Sequence, residues 1–192
     1  MSQLHYNIFP KLVKEVPDMS NSRLGAKKLA LTAVLMAMNI IMSMSIFSIP
    51  VPGGHMYLND LIICTAAILL DPFCAFMVGG VGAFIGDMLF YPAPMFVSLV
   101  SHGLQAVVIS LCTRRLIKDK PAPSSVIGVV FGLIISVVGY SLGRAFVYST
   151  PEYAIMKLPF QILQTAVGSA LALLLCWKCG LVKIFEKQFN KR

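Results

Sequence analysis

Charge is scarce in this chain: Asp, Glu, Lys and Arg make up 12% of its 192 residues, against about 25% in an ordinary soluble domain. With 57% apolar residues and a mean hydropathy of +0.80, too little polar surface remains to coat a water-soluble core. The composition therefore specifies an integral membrane protein, with little chain left for an appended catalytic module. The helical zinc-protease spacing HExxH is missing too. The one GxSxG, at Gly139, Ser141 and Gly143, lies inside a long apolar run rather than at a strand-to-helix turn, so it makes no nucleophile elbow. Cysteine supplies no framework: Cys64, Cys74, Cys112, Cys176 and Cys179 are odd in number and mostly lie in apolar segments, so packing is expected rather than disulfides. Cys176 and Cys179 form one C-x-x-C, but no second pair or nearby His completes a tetrahedral metal site, and neither metal nor cofactor is expected. No internal repeat is evident.

The cations that are present are clustered. Lys11, Lys14, Arg23, Lys27 and Lys28 precede the first apolar run; Arg114, Arg115, Lys118 and Lys120 lie mid-chain; Lys178, Lys183, Lys187, Lys191 and Arg192 close it. An even number of spans between clusters puts them all on one side, which the positive-inside rule makes cytoplasmic. This distribution explains the formal net charge of +8 better than nucleic-acid binding does. The first run, Lys27 to Phe47, is too long for the core of a cleavable signal and lies about 25 residues into the chain. Further runs follow at 57–70, 73–91, 95–111, 125–148 and 155–177, predicting an all-α protein of six transmembrane helices with both termini cytoplasmic. Residues 1–25 and 181–192 read as cytoplasmic tails around a membrane domain at 26–180.

Local chemistry marks the boundaries. Pro50, Pro52, Gly53 and Gly54 forbid helix and predict an irregular outer loop over 48–57. The run at 57–70 is short for a span and needs tilt or shielding by neighbours. Asp71-Pro72 supplies an N-cap followed by proline in the first turn, so the next helix starts at once, about Phe73. Two stripes of small residues allow close helix approach: Ala26, Ala30, Ala33 and Ala37 in the first span, and Gly79, Gly82 and Gly86 in the third. From spacing alone, the alanine stripe serves internal packing or a partner helix equally well.

Polar residues inside the spans gather at one depth. Asn59, Asp60, Asp87, His102, Gln105, Arg144, Gln161 and Gln164 all fall in the outward halves, while the inner halves are nearly blank. Such groups are costly in a bilayer unless paired or wetted, so their clustering predicts a cavity that opens outward. His102, Gln105, Arg144, Tyr148 and Gln164 are the expected solute contacts, with Asn59 and Asp87 beside them. Each has a structural alternative: Arg144 snorkels to the interface, Asp60 caps its helix, Asp87 neutralises Arg144 or Lys157, and His102 packs. One cation, one imidazole, amides and tyrosines suit a neutral heteroaromatic ring bearing hydroxyls.

From Ala30 to Trp177 the chain resembles the substrate-binding S components of energy-coupling factor (ECF) vitamin transporters. The resemblance rests on LALTAVLMAMNII with Ala33-x-x-x-Ala37, on IPVPGGHMYLNDL, and most specifically on the run from LLDPF through GGVGAFIGD to SHGLQA. It implies a six-helix binding protein, not itself an enzyme, that joins a transmembrane T component and two ABC ATPase subunits in a prokaryotic plasma membrane. It further implies that Ala33 and Ala37, with Ala30 beside them, dock the T component. The loop holding Pro50, Pro52, Gly53, Gly54 and His55 would lid the vitamin. The branch is similar to S components for pyridoxine-like or hydroxymethylpyrimidine-like compounds, with riboflavin as the alternative. An intramembrane enzyme pairing His102 with Asp87, or an assembly scaffold, are the readings from other classes.

Overall fold

A computed structural model describes residues 23–44, 48–51, 54–117 and 120–189. Most of the predicted tail at 1–25, together with Pro52, Gly53, Lys118, Lys191 and Arg192, lies outside the described residues. The helices are α1 (Arg23–Met42), α2 (Asn59–Leu69), α3 (Pro72–Phe90), α4 (Met95–Arg115), α5 (Pro121–Tyr148), α6 (Pro151–Lys178) and α7 (Leu181–Phe189). Between α1 and α2 two short strands, β1 (Ile49–Val51) and β2 (Gly54–Met56), pair antiparallel. Five helices, α1 and α3 to α6, are long and apolar enough to cross a membrane, and α2 is a shorter apolar helix.

The short second run is shielded by its neighbours. Ten of the eleven residues of α2 are buried, Leu61 being the exception, because α1, α3, α4 and α6 all pack around it. Glycine makes that enclosure possible. A Cβ at Gly168 of α6 would stand 2.7 Å from the Asp60 Cβ, so α6 reaches α2 only without a side chain there. The stripe on α3 is shared between two neighbours: Gly79 meets the His102 carbonyl and Ala106 of α4, whereas Gly82 and Gly86 meet Asn39 and Ser43 beside α1. Around this core, large apolar side chains such as Phe73, Phe96, Phe146 and Ile155 face outward. That is the pattern of a bundle solvated by lipid rather than water.

Helix ends follow local chemistry. Pro72, Pro121 and Pro151 each stand in a first turn, where the missing N–H costs nothing. Helices α5 and α6 therefore begin earlier than expected from their apolar runs. Thr150 caps α6 by accepting from the Tyr153 amide. Asp71 holds the N-cap position of α3 without a capping side-chain bond, and its carboxylate pairs with Lys28 of α1 instead. Gly180, at φ 75°, turns the chain from α6 into α7.

Three expectations change. The outer loop is a β-hairpin, registering Pro50 opposite His55, because a two-stranded ribbon tolerates proline on its free edges. The first helix ends at Met42, with turns closing from Ser43 to Ile40 and Met44 to Ile41. Residues 181–189 of the expected tail are helical: Leu181, Val182 and Phe185 pack under the bundle beside Leu70 and Cys74, and Lys183 and Lys187 point away.

Candidate functional site

One end of the bundle encloses a cavity of about 230 Å³ beneath the hairpin. Three short loops place their helix ends around it. From the hairpin come His55 and Tyr57, from α2 Asn59, and from α3 and the turn after it Asp87, Tyr91 and Pro94. Helix α4 contributes His102, α5 contributes Tyr140, Arg144 and Tyr148, and α6 contributes Tyr153, Lys157, Gln161 and Gln164. Five of the chain's six tyrosines thus face one space, offering rings for stacking and hydroxyls for hydrogen bonds.

The backbone of α5 explains how three of these residues meet. In a regular α-helix, residues four apart drift by about 40° around the axis, which carries Tyr148 well away from the face of Tyr140. The last turn of α5, Arg144–Tyr148, is instead a wider π-helical turn. It winds less per residue and takes back the drift, a device that recurs at functional sites.

Arg144 is 7% exposed. Its Nη2 donates to Gln161 Oε1 at 2.8 Å, its guanidinium carbon lies 5.5 Å from the Tyr140 ring centroid, and Nη1 has no partner. Lys157, 4% exposed, donates to the His55 carbonyl at 3.0 Å. Behind the Tyr140 ring, buried Ser98 donates to Asp87 and, having one proton, accepts from the Tyr140 hydroxyl. His102 lies 5.0 Å from the Tyr140 ring, centroid to centroid.

Behind this wall runs a second chain. Gln105 Nε2 donates to Asp60 Oδ1 at 2.8 Å, and Gln105 Oε1 meets His102 Nδ1 at 2.7 Å. A carboxylate only accepts, so Asp60 fixes the orientation of the Gln105 amide. Gln105 in turn fixes the proton on His102 Nδ1 and leaves Nε2 as the acceptor of the neutral ring. Asp60 and Gln105 are fully buried and do not line the cavity. Gln105 is therefore a positioning residue for His102 rather than a wall residue. His102 is engaged by Gln105 and Asp87 by Ser98, so the acid–base pair required by the enzyme reading is not assembled as a direct hydrogen bond.

Of the expected contacts, His102, Arg144, Tyr148, Gln164, Asn59 and Asp87 come together on the cavity. Sequence reasoning placed Gln161 among the embedded polar residues and named Lys157 only as a partner for Asp87, putting neither in the site, and it missed Ser43, Tyr57, Tyr91, Tyr140 and Tyr153. A signal existed on α6: Tyr153, Lys157, Gln161 and Gln164 recur at spacings of four, four and three, one helical face. Two of them also anchor the hairpin, since Gln164 Oε1 accepts from the Tyr57 amide at 3.1 Å alongside the Lys157 bond to His55. Within the hairpin, Ser48 Oγ meets His55 Nδ1 at 2.8 Å. Among the described residues no group of three His, Cys, Asp or Glu is placed to hold a metal.

Away from the cavity, Ala26, Ala30, Ala33 and Ala37 are all exposed, while Thr32, Leu35 and Asn39 on the other face of α1 are buried. Internal packing does not use the alanine stripe.

Comparison with known proteins agrees with this architecture. The chain is 29% identical over 150 residues to the thiamine precursor transporter HmpT of Lactococcus lactis subsp. cremoris (strain MG1363), covering 76% of this chain and 83% of the relative. It is 30% identical over 122 residues to a Pyrococcus woesei protein described as an uncharacterized protein in gap 3'region, covering 62% of this chain and 80% of the relative. A family model described as "ECF-type riboflavin transporter, S component" matches residues 23–180. The chain is a multi-pass membrane protein and belongs to the family of ECF-type riboflavin transporter S components.

Proposed function

We propose that the chain is the substrate-specific subunit of an ECF-type importer. It binds a small vitamin or precursor from outside and delivers it inward, powered by ATP hydrolysis in partner subunits rather than by chemistry of its own. The observation that carries this reading is the cavity itself. It is walled by tyrosines and unspent polar groups, roofed by the hairpin, and set at the end of the bundle remote from the basic residues Lys28, Arg114 and Lys178. That polarity supports six spans, α2 being the shielded sixth, with both termini cytoplasmic. It also supports 26–180 as a single membrane domain.

The size of the cavity favours a single ring. At about 230 Å³ it falls below the ~300–1,000 Å³ typical of pockets for drug-sized ligands. A pyridoxine-like or hydroxymethylpyrimidine-like compound fits that scale better than a tricyclic flavin, and the HmpT relative, a thiamine precursor transporter, points the same way. Riboflavin is the second reading, favoured by the description of the matching family. Mass spectrometry of small molecules released from the purified, denatured protein decides between them.

The partners follow from the family: a transmembrane T component and two ABC ATPase subunits. Exposed Ala30, Ala33 and Ala37 support α1 as the docking face, since their small side chains let another helix approach closely. The expected outcome for Ala33→Trp with Ala37→Trp is lost uptake with solute binding retained. Normal co-purification with the T component and normal uptake would instead return the stripe to lipid.

A further inference from the structure

The cavity is not electrically neutral. Arg144 and Lys157, both more than nine-tenths buried, line it together. Arg144 spends one donor on a neutral amide and leaves Nη1 unpartnered, and Lys157 spends one on a backbone carbonyl. A guanidinium carries five N–H donors and an ammonium three, so most of their capacity is unspent. Among the described residues neither has a carboxylate within ion-pair distance, the one ion pair, Lys28 with Asp71, being at the other end of the bundle. Asp87 shares the cavity but accepts from Ser98. Buried charge is normally paired and fully hydrogen-bonded, because an uncompensated ion away from water is expensive. Two such cations in one cavity raise that cost until an anion enters.

We propose that the solute carried in this cavity bears an anionic oxo group, a carboxylate or a phosphate, received by Arg144 and Lys157. The inference rests on the importer reading and narrows its solute, replacing the neutral ring expected from sequence. The geometry assigns the other end of the solute as well. His102 Nε2 and the Asp87 carboxylate are acceptors, so the ring turns a donor, an N–H or hydroxyl, toward α3 and α4. Its faces meet the tyrosines. A planar guanidinium matches both oxygens of a carboxylate or phosphate at once, whereas Lys157 adds a point charge.

The test uses the full chain in lipid nanodiscs. Solute released by denaturation is run on anion exchange at pH 7 and weighed by mass spectrometry, with phosphatase treatment separating phosphate from carboxylate. The same solute is then titrated calorimetrically into wild type, Arg144→Gln and Lys157→Met, alongside the matched probes pyridoxal 5′-phosphate and pyridoxal. The expected result is an anionic solute whose affinity falls about tenfold to a hundredfold in each folded variant. If Arg144→Gln does not fold, Lys157→Met and the charge of the released solute carry the test. A neutral or cationic solute, or variants that bind it within twofold of wild type, overturns the anion receptor and leaves the importer reading standing. A chain that releases no solute and binds neither probe nor riboflavin overturns both.

Discussion

Arg114, near the end of α4 opposite the cavity, donates through Nη2 to the Leu69 carbonyl at 2.8 Å and through Nε to the Leu70 carbonyl at 3.3 Å. Ser110 adds a bond to Leu70 at 2.7 Å. These are the last carbonyls of α2, which its short helix leaves without intrahelical partners. Arg144 sits at the other end of the bundle, lines the cavity, gives one bond to Gln161 and leaves Nη1 buried without a partner among the described residues. The first arginine closes a structure and the second keeps capacity for something absent. Near Arg114, where the basic residues cluster, Trp177 likewise ties to Ser125 and Lys28 pairs with Asp71, whereas Arg144 is a buried cation with no ion pair among the described residues.

Exchanging the roles of the two arginines is the strongest way to break this contrast. Arg144→Gln should cost ~1.5–3 kcal/mol of solute affinity without lowering the melting temperature, because it removes a charge the free protein does not pair. Arg144→Lys should rescue little if the planar fork is what binds. Arg114→Met should do the opposite. Calorimetry should give unchanged affinity, while thermal unfolding shows a loss of ~1–3 kcal/mol from the abandoned Leu69 carbonyl.

Gln105 lies between these extremes and sharpens the comparison. Gln105→Ala frees the His102 ring and strips Asp60 of its Gln105 hydrogen bond, so affinity and stability should fall together. The affinity loss should be ~0.5–1.5 kcal/mol, smaller than for Arg144. A pure loss of affinity with unchanged melting would make Gln105 a wall residue after all.

The smallest effect belongs to Lys28 and Asp71. Burial raises the Asp71 carboxyl, but its hydrogen bond and charge contact with Lys28, with help from Cys74, outweigh that and hold it below its ordinary value. A depressed folded value means the pair stabilises fully above the unfolded carboxyl value of about 3.9. That contribution disappears as the pH falls through the lower folded value. Both side chains are about a third exposed, so the contribution is ~0.2–1 kcal/mol. Melting curves of wild type and Asp71→Asn should differ slightly at pH 7, and the difference should shrink as the pH falls below about 3.9 and through the lower folded value.

The helical architecture was legible because hydropathy and proline placement are local. Pro72 starts α3 where Asp71-Pro72 announced it, whereas the face shared by Tyr140, Arg144 and Tyr148 depends on a π-helical turn that spacing does not reveal. The hairpin was not legible. Its two three-residue strands are held by bonds from α6 to the His55 carbonyl and the Tyr57 amide, 102 and 107 residues away in sequence. Gln105 was expected at the solute beside His102, yet sequence spacing does not say which neighbour covers a helical face. Two glycines do: a Cβ at Gly132 of α5 would stand 3.2 Å from Gln105 Cγ, and one at Gly168 of α6 would stand 2.7 Å from the Asp60 Cβ, so both helices close over that pair. The alanine stripe was readable as a stripe, but its outward direction is a property of the packed bundle.

A structure of the full chain bound to its retained solute tests the central claim most directly. The account predicts density for a single-ring solute in the cavity beneath the hairpin, with an oxygen about 3 Å from Arg144 Nη1 and a donor facing His102 or Asp87. Solute density elsewhere on the bundle, or a cavity filled by side chains with Arg144 turned outward to the interface, would contradict it.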